Sequence, residues 1–301
     1  MKQLVPTYYR DFHCIADRCQ HSCCIGWEID IDEETAAFYD TVGGPIGERL
    51  ANDTATVDGV RTFCLKEGER CPFLNKSGLC DLICALGEDA LCQICADHPR
   101  FRNVFTDRVE TGLGLCCEEA ARILLTSEDD TLITIEDDGV DDPLFEDEAA
   151  LLQTRERLFA IARNDSQTIL AREEALLRLA KRAPLSGQEL YALFEPLERL
   201  EDDWSDRLTA LLSAPDREPP STLTTAFSRL LVYFLFRHLP DALDDDRLDE
   251  RIAFAAHSVK VLRLLCAADG ETIDVLAELS RRFSAEIEYS DENIDTLLDA
   301  F

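Results

Sequence analysis

The chain has 301 residues, of which 46% are apolar, 61 are acidic and 30 are Lys or Arg, giving a formal charge of −31. That balance argues against nucleic acid, which needs clustered cations to meet phosphates, and against an anionic membrane surface. The length suits one large domain or two ordinary ones. The densest apolar run, L-L-V-Y-F-L-F at 230–236, is seven residues between arginines, so it reads as a buried core helix and not as a membrane span.

The N-terminus, M-K-Q-L-V-P-T-Y-Y-R, has no apolar leader and no small-residue cleavage site, which points to the cytoplasm. From residue 1 to 125 the sequence is turn-rich and irregular, and it holds twelve of the thirteen cysteines, opening with C-x4-C-x3-C-C-I-G-W from Cys14. Thiolates this crowded repel one another unless a cation holds them or they are oxidised in pairs. Adjacent cysteines such as Cys23 and Cys24 pair only with strain, and disulfides belong to oxidising compartments. A metal is therefore the expectation.

Within this region the alternation of 27–32 (W-E-I-D-I-D) predicts a short half-buried extended segment. Asp32 is placed to cap a helix running through Tyr39, which Gly43-Gly44-Pro45 ends. The stretch 71–80 reads as a tight loop in which Gly78 supplies a positive φ and brings Cys71 towards Cys80. Short helices are expected over 91–97, stopped by Pro99, and over 118–125.

Residues 127–154 contain no Lys or Arg and eleven acids, so 126–148 reads as an acidic connector with a short strand at 132–135. The alternating ligand spacing of a calcium loop is absent. From 149 to 301 the periodicity is helical: around 151–161 and 169–179, then 187–200, 204–213, 222–238, 247–268 and 271–287, and a last helix from Asp291 capped by Ser290. Gly270 marks a C-terminal cap, and Cys266 falls on an apolar face. The expected architecture is mainly α, with a cysteine-rich irregular metal-binding region (1–125) packed on a helical domain (149–301).

Zinc takes four ligands, often as C-x2-C pairs, and only Cys92-x2-Cys95 has that spacing. Iron–sulfur clusters accept more varied spacing, so spacing alone leaves zinc and iron–sulfur nearly level. No strand leads into a G-x-G-x-G turn, and no C-x3-C-x2-C is present, so neither an ordinary dinucleotide-type methyl-donor fold nor a typical radical enzyme is visible.

Several stretches are similar to the flagellin lysine-N-methylase family, within the broader group of zinc- or iron-chelating CxxCxxCC proteins. They are C-C-I-G-W-E-I-D-I at 23–31, R-C-P-F-L at 70–74, G-L-C-D at 78–81, L-G-E-D-A-L-C-Q-I-C at 86–95, P-R at 99–100, C-C-E-E-A-A-R at 116–122 and the last thirteen residues from Tyr289. The resemblance implies S-adenosylmethionine as methyl donor, flagellin lysines as acceptors, and a cysteine-bound centre of the 4Fe–4S kind in preference to zinc. Carried over by position, it implies Cys14, Cys19, Cys23, Cys24, Cys71, Cys80, Cys92, Cys95 and Cys117 as the metal-linked cysteines. Cys64, Cys84, Cys116 and Cys266 fall off the pattern. His98 stands where the family has an aromatic residue, and it reads first as a hydrogen-bonded surface group and second as an extra ligand. Glu28, Asp30, Asp97, His98, Tyr8 and Tyr9 are candidate bases, and Arg100 and Arg102 candidate anion partners. The competing reading is a non-enzymatic zinc- or iron-binding interaction module.

Overall fold

The computed structural model describes residues 1–140 and 142–301; Asp141, one of the acids of the connector, lies outside the described residues. Of the chain, 53% is helical, which agrees with a mainly α protein. It divides into two compact units, one of residues 1–12 and 101–301, the other of residues 13–100.

Strand β1 (Lys2–Pro6) belongs to the first unit, and the chain then enters the second. There β2 (Asp30–Ile31) leads into α1 (Glu33–Tyr39), α2 (Gly44–Asn52), the hairpin β3 (Thr54–Val57) and β4 (Val60–Phe63), α3 (Asp81–Leu86) and α4 (Gln93–Asp97). The strand order is β2-β4-β3, antiparallel throughout. Asp32 caps α1 as expected, its Oδ1 accepting the Thr35 amide at 2.8 Å. Gly44 and Pro45 begin α2, since Pro is tolerated in a first helical turn. The alternating segment 27–32 yields only the two-residue β2.

The chain returns to the first unit with β5 (Arg100–Val104), β6 (Arg108–Leu113), α5 (Glu118–Thr126) and β7 (Leu132–Asp137). These pair in the order β5-β6-β1-β7, with β1 parallel to β6 and antiparallel to β7. The expectation of an irregular region over 1–125 therefore needs correction. Residues 101–125 form strands and a helix that belong with the helical unit, and the compact cysteine-rich unit ends at Arg100. The expected strand within the acidic connector is real and lies at the sheet edge.

The remaining elements are α6 (Glu146–Ala162), α7 (Ile169–Leu179), α8 (Gly187–Phe194), α9 (Trp204–Leu208), α10 (Thr224–His238), α11 (Ala242–Asp245), α12 (Leu248–Asp269), α13 (Ile273–Phe283) and α14 (Asp291–Ala300); most follow the predicted periodicity, but α8 stops six residues before the expected 200 and α11 was not expected. Helices α10 and α12 are buried on nearly every face, including the run 230–236, and they bury charged side chains such as Arg229, Arg251 and Arg263 along with the apolar ones. A π turn, Ser284–Glu288, follows α13, and Ser290 caps α14 through the Asn293 amide. Cys266 is 1% exposed among core side chains.

Two buried ion pairs fasten the layers. Arg155 on α6 meets Glu110 on β6 in a two-pronged contact at 2.6 and 2.7 Å, with the guanidinium among the rings of Phe105, Phe159 and Phe236. Arg263 on α12 holds Glu173 on α7 at 3.0 and 2.8 Å. Gly112 on β6 has no room for a side chain, since a Cβ there would lie 2.2 Å from the Phe101 ring.

Candidate metal centre

Three local devices gather thiols in the unit of residues 13–100. The Cys71 amide donates to the Cys24 carbonyl at 2.8 Å, and Ile25 bridges Arg70, so two segments far apart in sequence run antiparallel there. The loop 71–80 then doubles back. Asn75 Oδ1 accepts the amides of Ser77 and Leu79 at 2.9 and 3.1 Å, Gly78 adopts φ +75°, and Leu74 bridges Cys80. Arg49 clamps this loop through Asp81 at 2.7 Å and the Pro72 carbonyl at 2.9 Å. Finally Cys92 is the residue preceding α4, and Cys95 sits within its first turn. The second oxygen of Asp32 accepts the Gln93 amide at 2.8 Å, so a single carboxylate fastens the starts of α1 and α4. Those hydrogen bonds hold its pKa below the usual carboxylate value.

The outcome is one group of five thiols. Cys71 and Cys92 are buried, while Cys24, Cys80 and Cys95 are half-buried. All five pack with the unit's own apolar core around Tyr39, Phe63 and Phe73. Burial pushes the Cys71 thiol up to about 11 and raises Cys80, and charge on Cys24 would raise both further. Cys24 itself is lowered to about 7, chiefly by a hydrogen bond with Cys23 and despite its burial. Cys92 and Cys95 are hydrogen-bonded to each other, which lowers the first and raises the second, and Cys95 also feels Cys24 and Cys71. The Tyr39 hydroxyl donates to the Ala90 carbonyl at 2.8 Å; its burial, then Cys92, Cys95 and Cys80, keep it protonated.

These sulfurs are neighbours whose ionisation is mutually costly, which is the environment that a bound cation relieves. A single tetrahedral zinc would hold its sulfurs about 3.8 Å apart. Among the described residues no group of three His, Cys, Asp or Glu side chains closes on one ion in that way. The chemistry of the five, sulfur donors within an apolar wall, suits a thiolate-bound cation.

The other residues singled out by sequence are placed as follows. Cys14 and Cys23 are exposed and Cys19 is half-buried, on the segment leading into Cys24. Cys64 is half-buried and Cys84 exposed, one helical turn beyond Cys80. Cys117 precedes α5 in the other compact unit, beside the buried Cys116, whose thiol burial pushes up to about 12. His98 is half-buried, and burial, then Arg100, lowers its pKa to about 4, leaving the ring neutral at pH 7. Tyr8 is no base near neutrality, because burial, then Asp130, raises its pKa. Tyr8 lines a small crevice, partly open to solvent, with Asp130, Arg229 and mostly apolar side chains. Arg100 donates to the Ala96 carbonyl at 3.1 Å.

Sequence reasoning passed over Arg49, Tyr39 and the Ser22 hydroxyl that accepts the Cys24 amide at 3.3 Å. Asn75 did carry a signal, since N-x-x-G between two cysteines is a side-chain-to-backbone turn. Also unread was a buried polar network in the helical unit. Glu288, on the π turn, accepts from Tyr233 at 3.0–3.1 Å and meets His238 Nε2 at 2.6 Å, with Arg237 at 3.4 Å. Arg237 in turn lies 4.8 Å from the Tyr289 ring centre, and Tyr289 is hydrogen-bonded to Cys116.

No family model matches the chain, and no solved structure does. Three known proteins do. The flagellar biosynthetic protein FliU of Salmonella muenchen is 28% identical over 140 residues, 41% of this chain and 77% of that protein. The lysine-N-methylases of Salmonella choleraesuis and Salmonella typhimurium are 28% and 27% identical over 139 and 140 residues, again 41% of this chain. The chain spans about a third of the length of those two methylases, 32% in each case.

Proposed function

We propose that this protein transfers methyl groups from S-adenosylmethionine to lysine side chains of flagellin, and that its cysteine-rich unit carries a thiolate-held iron–sulfur centre. The observation that carries the reading is the similarity to lysine-N-methylases in a chain whose thiols converge within one small unit. Cys24, Cys71, Cys80, Cys92 and Cys95 would hold the centre, with Cys14, Cys19 and Cys23 on the adjoining segment as further donors. Cys117, in the other unit, is the weakest of the nine expected. Such a centre supplies electron transfer or an anchoring point for polar groups, and it cross-links the unit.

The transfer itself is a displacement. The amine nitrogen forms a bond to the donor's methyl carbon, the carbon–sulfur bond breaks, and a proton leaves the nitrogen. A lysine near its ordinary pKa needs about 4–5 kcal/mol to present a neutral amine at pH 7. Burial of the amine, a base, or loss of the proton to water must meet that cost. His98, its pKa lowered to about 4, is a weak base at pH 7, while the acidic surface attracts a cationic acceptor.

Mass spectrometry of flagellin incubated with the metal-loaded protein and S-adenosylmethionine tests the reading. Lysine-borne mass steps of one methyl unit are expected, formed faster as pH rises from 6 to 9. The second reading, a metal-binding interaction module, has its own support, because the five thiols are also core residues of a unit of 88 residues (13–100). Flagellin that is bound but left unmodified would favour it, and flagellin neither bound nor modified would remove flagellin from both readings.

A further inference from the structure

We infer that Cys92 and Cys95 form a reversible dithiol–disulfide pair, the first disulfide to close when the metal-free chain meets a small-molecule disulfide. This stands on the placement of two side chains and holds whether or not the metal reading does.

Cys92 has φ −65° and ψ 157°, so it is extended, and the helix starts at the next residue. Cys95 is then the third helical residue, and helical spacing brings its side chain back beside that of the residue preceding the helix. The same relation lets a capping side chain reach the third amide. Here it brings two sulfurs into hydrogen-bond contact. A C-x-x-C pair astride a helix start is the arrangement of dithiol redox motifs. A second hydrogen-bonded thiol pair, Cys23 with Cys24, is adjacent in sequence and closes only with strain.

Access sets the order of events. Cys95 is half-buried, whereas Cys92 is 0% exposed and sits in the core. With glutathione disulfide as oxidant, Cys95 Sγ attacks one of its sulfurs and the Cys95 proton goes to the sulfur that departs. The glutathione S–S bond breaks, one glutathione leaves, and a mixed disulfide remains on Cys95. Cys92 Sγ then attacks the Cys95 sulfur, the second glutathione leaves, and the Cys92 proton goes to that departing sulfur. Two protein thiols and one glutathione disulfide become one protein disulfide and two glutathiones. Because Cys92 is enclosed, its attack outruns a second incoming disulfide.

The test uses the full chain, stripped of metal under reducing conditions and then equilibrated with mixtures of reduced and oxidised glutathione. Free thiols are alkylated, and the protein is cut before aspartate, which releases 89–96 (D-A-L-C-Q-I-C-A) with these two cysteines alone. At the least oxidising poise that gives any disulfide, this peptide is expected lighter by two hydrogens and without alkyl label, while peptides with Cys71 and Cys80 stay labelled. Dithiothreitol restores both labels. The Cys92→Ser chain should retain glutathione on Cys95, and the Cys95→Ser chain should take up none at Cys92. A doubly labelled 89–96 peptide alongside a disulfide elsewhere would overturn the inference, and so would equal glutathione uptake by the two variants.

Discussion

Glu288 shows how one carboxylate is kept charged inside a helical core. Burial opposes its ionisation, yet Arg237 and the hydrogen bond with His238 outweigh that and lower its pKa to about 2. His238, whose own pKa burial lowers, is neutral and acts as a donor. A folded-state pKa below the unfolded value gives stability that is complete above the unfolded value, near 4.5, and is lost as pH falls towards 2. The contribution amounts to about 3 kcal/mol, of which about 2 kcal/mol is gone by pH 3. Urea unfolding should therefore find Glu288→Gln destabilised at pH 6, with its deficit relative to the natural chain shrinking by about 2 kcal/mol at pH 3. A deficit unchanged between the two pH values would mean that the carboxylate is not ionised in the fold.

At the scale of elements, the loop 71–80 decides whether two of the five thiols meet the rest. Gly78 has φ +75°, and a Cβ there would lie 3.3 Å from the Asp17 Cα. A β-branched side chain is doubly unwelcome, so Gly78→Val should cost about 1–3 kcal/mol and raise the alkylation rate of Cys71 and Cys80. Gly59, at φ +88° in the β3–β4 turn, has open space where a Cβ would stand, with nothing within 4 Å. Gly59→Val should therefore cost backbone strain without changing those two thiols. Equal thiol reactivity in the two variants would show that the loop does not position them.

The helices were legible because their signals are local: Asp32 and Ser290 cap, Gly270 stops, and apolar residues recur at helical spacing. Most strands were not. In β6 the residue at a core position is Glu110, and what makes it tolerable is Arg155, forty-five residues later. A charged residue inside a strand hides the alternation that would announce it. The same limit applies to the thiols. The resemblance named the cysteines by position, but a backbone bond between Cys71 and Cys24 joins two of their segments, and Cys117 lies in a different unit from the five.

For the whole molecule, the two units have separate apolar cores, one built from long helices and the other small and lined with sulfur. The small core is the one that gains from a bound cation, since it holds five thiols, and burial or neighbouring thiols oppose the ionisation of Cys71, Cys80 and Cys95. No helix among the described residues is long and apolar enough to cross a membrane. The net charge of −31 favours encounter with cationic side chains, an attraction that physiological salt weakens. The proposed metal centre turns on whether Cys24, Cys71, Cys80, Cys92 and Cys95 hold one cation-bound group together. The decisive measurement is alkylation of the anaerobically prepared chain, with and without its metal, read cysteine by cysteine by mass spectrometry. Metal should protect those five together, in proportion to bound iron, while Cys84 reacts alike in both states. Protection that is absent, or that falls instead on cysteines outside the five, would rule out the shared centre.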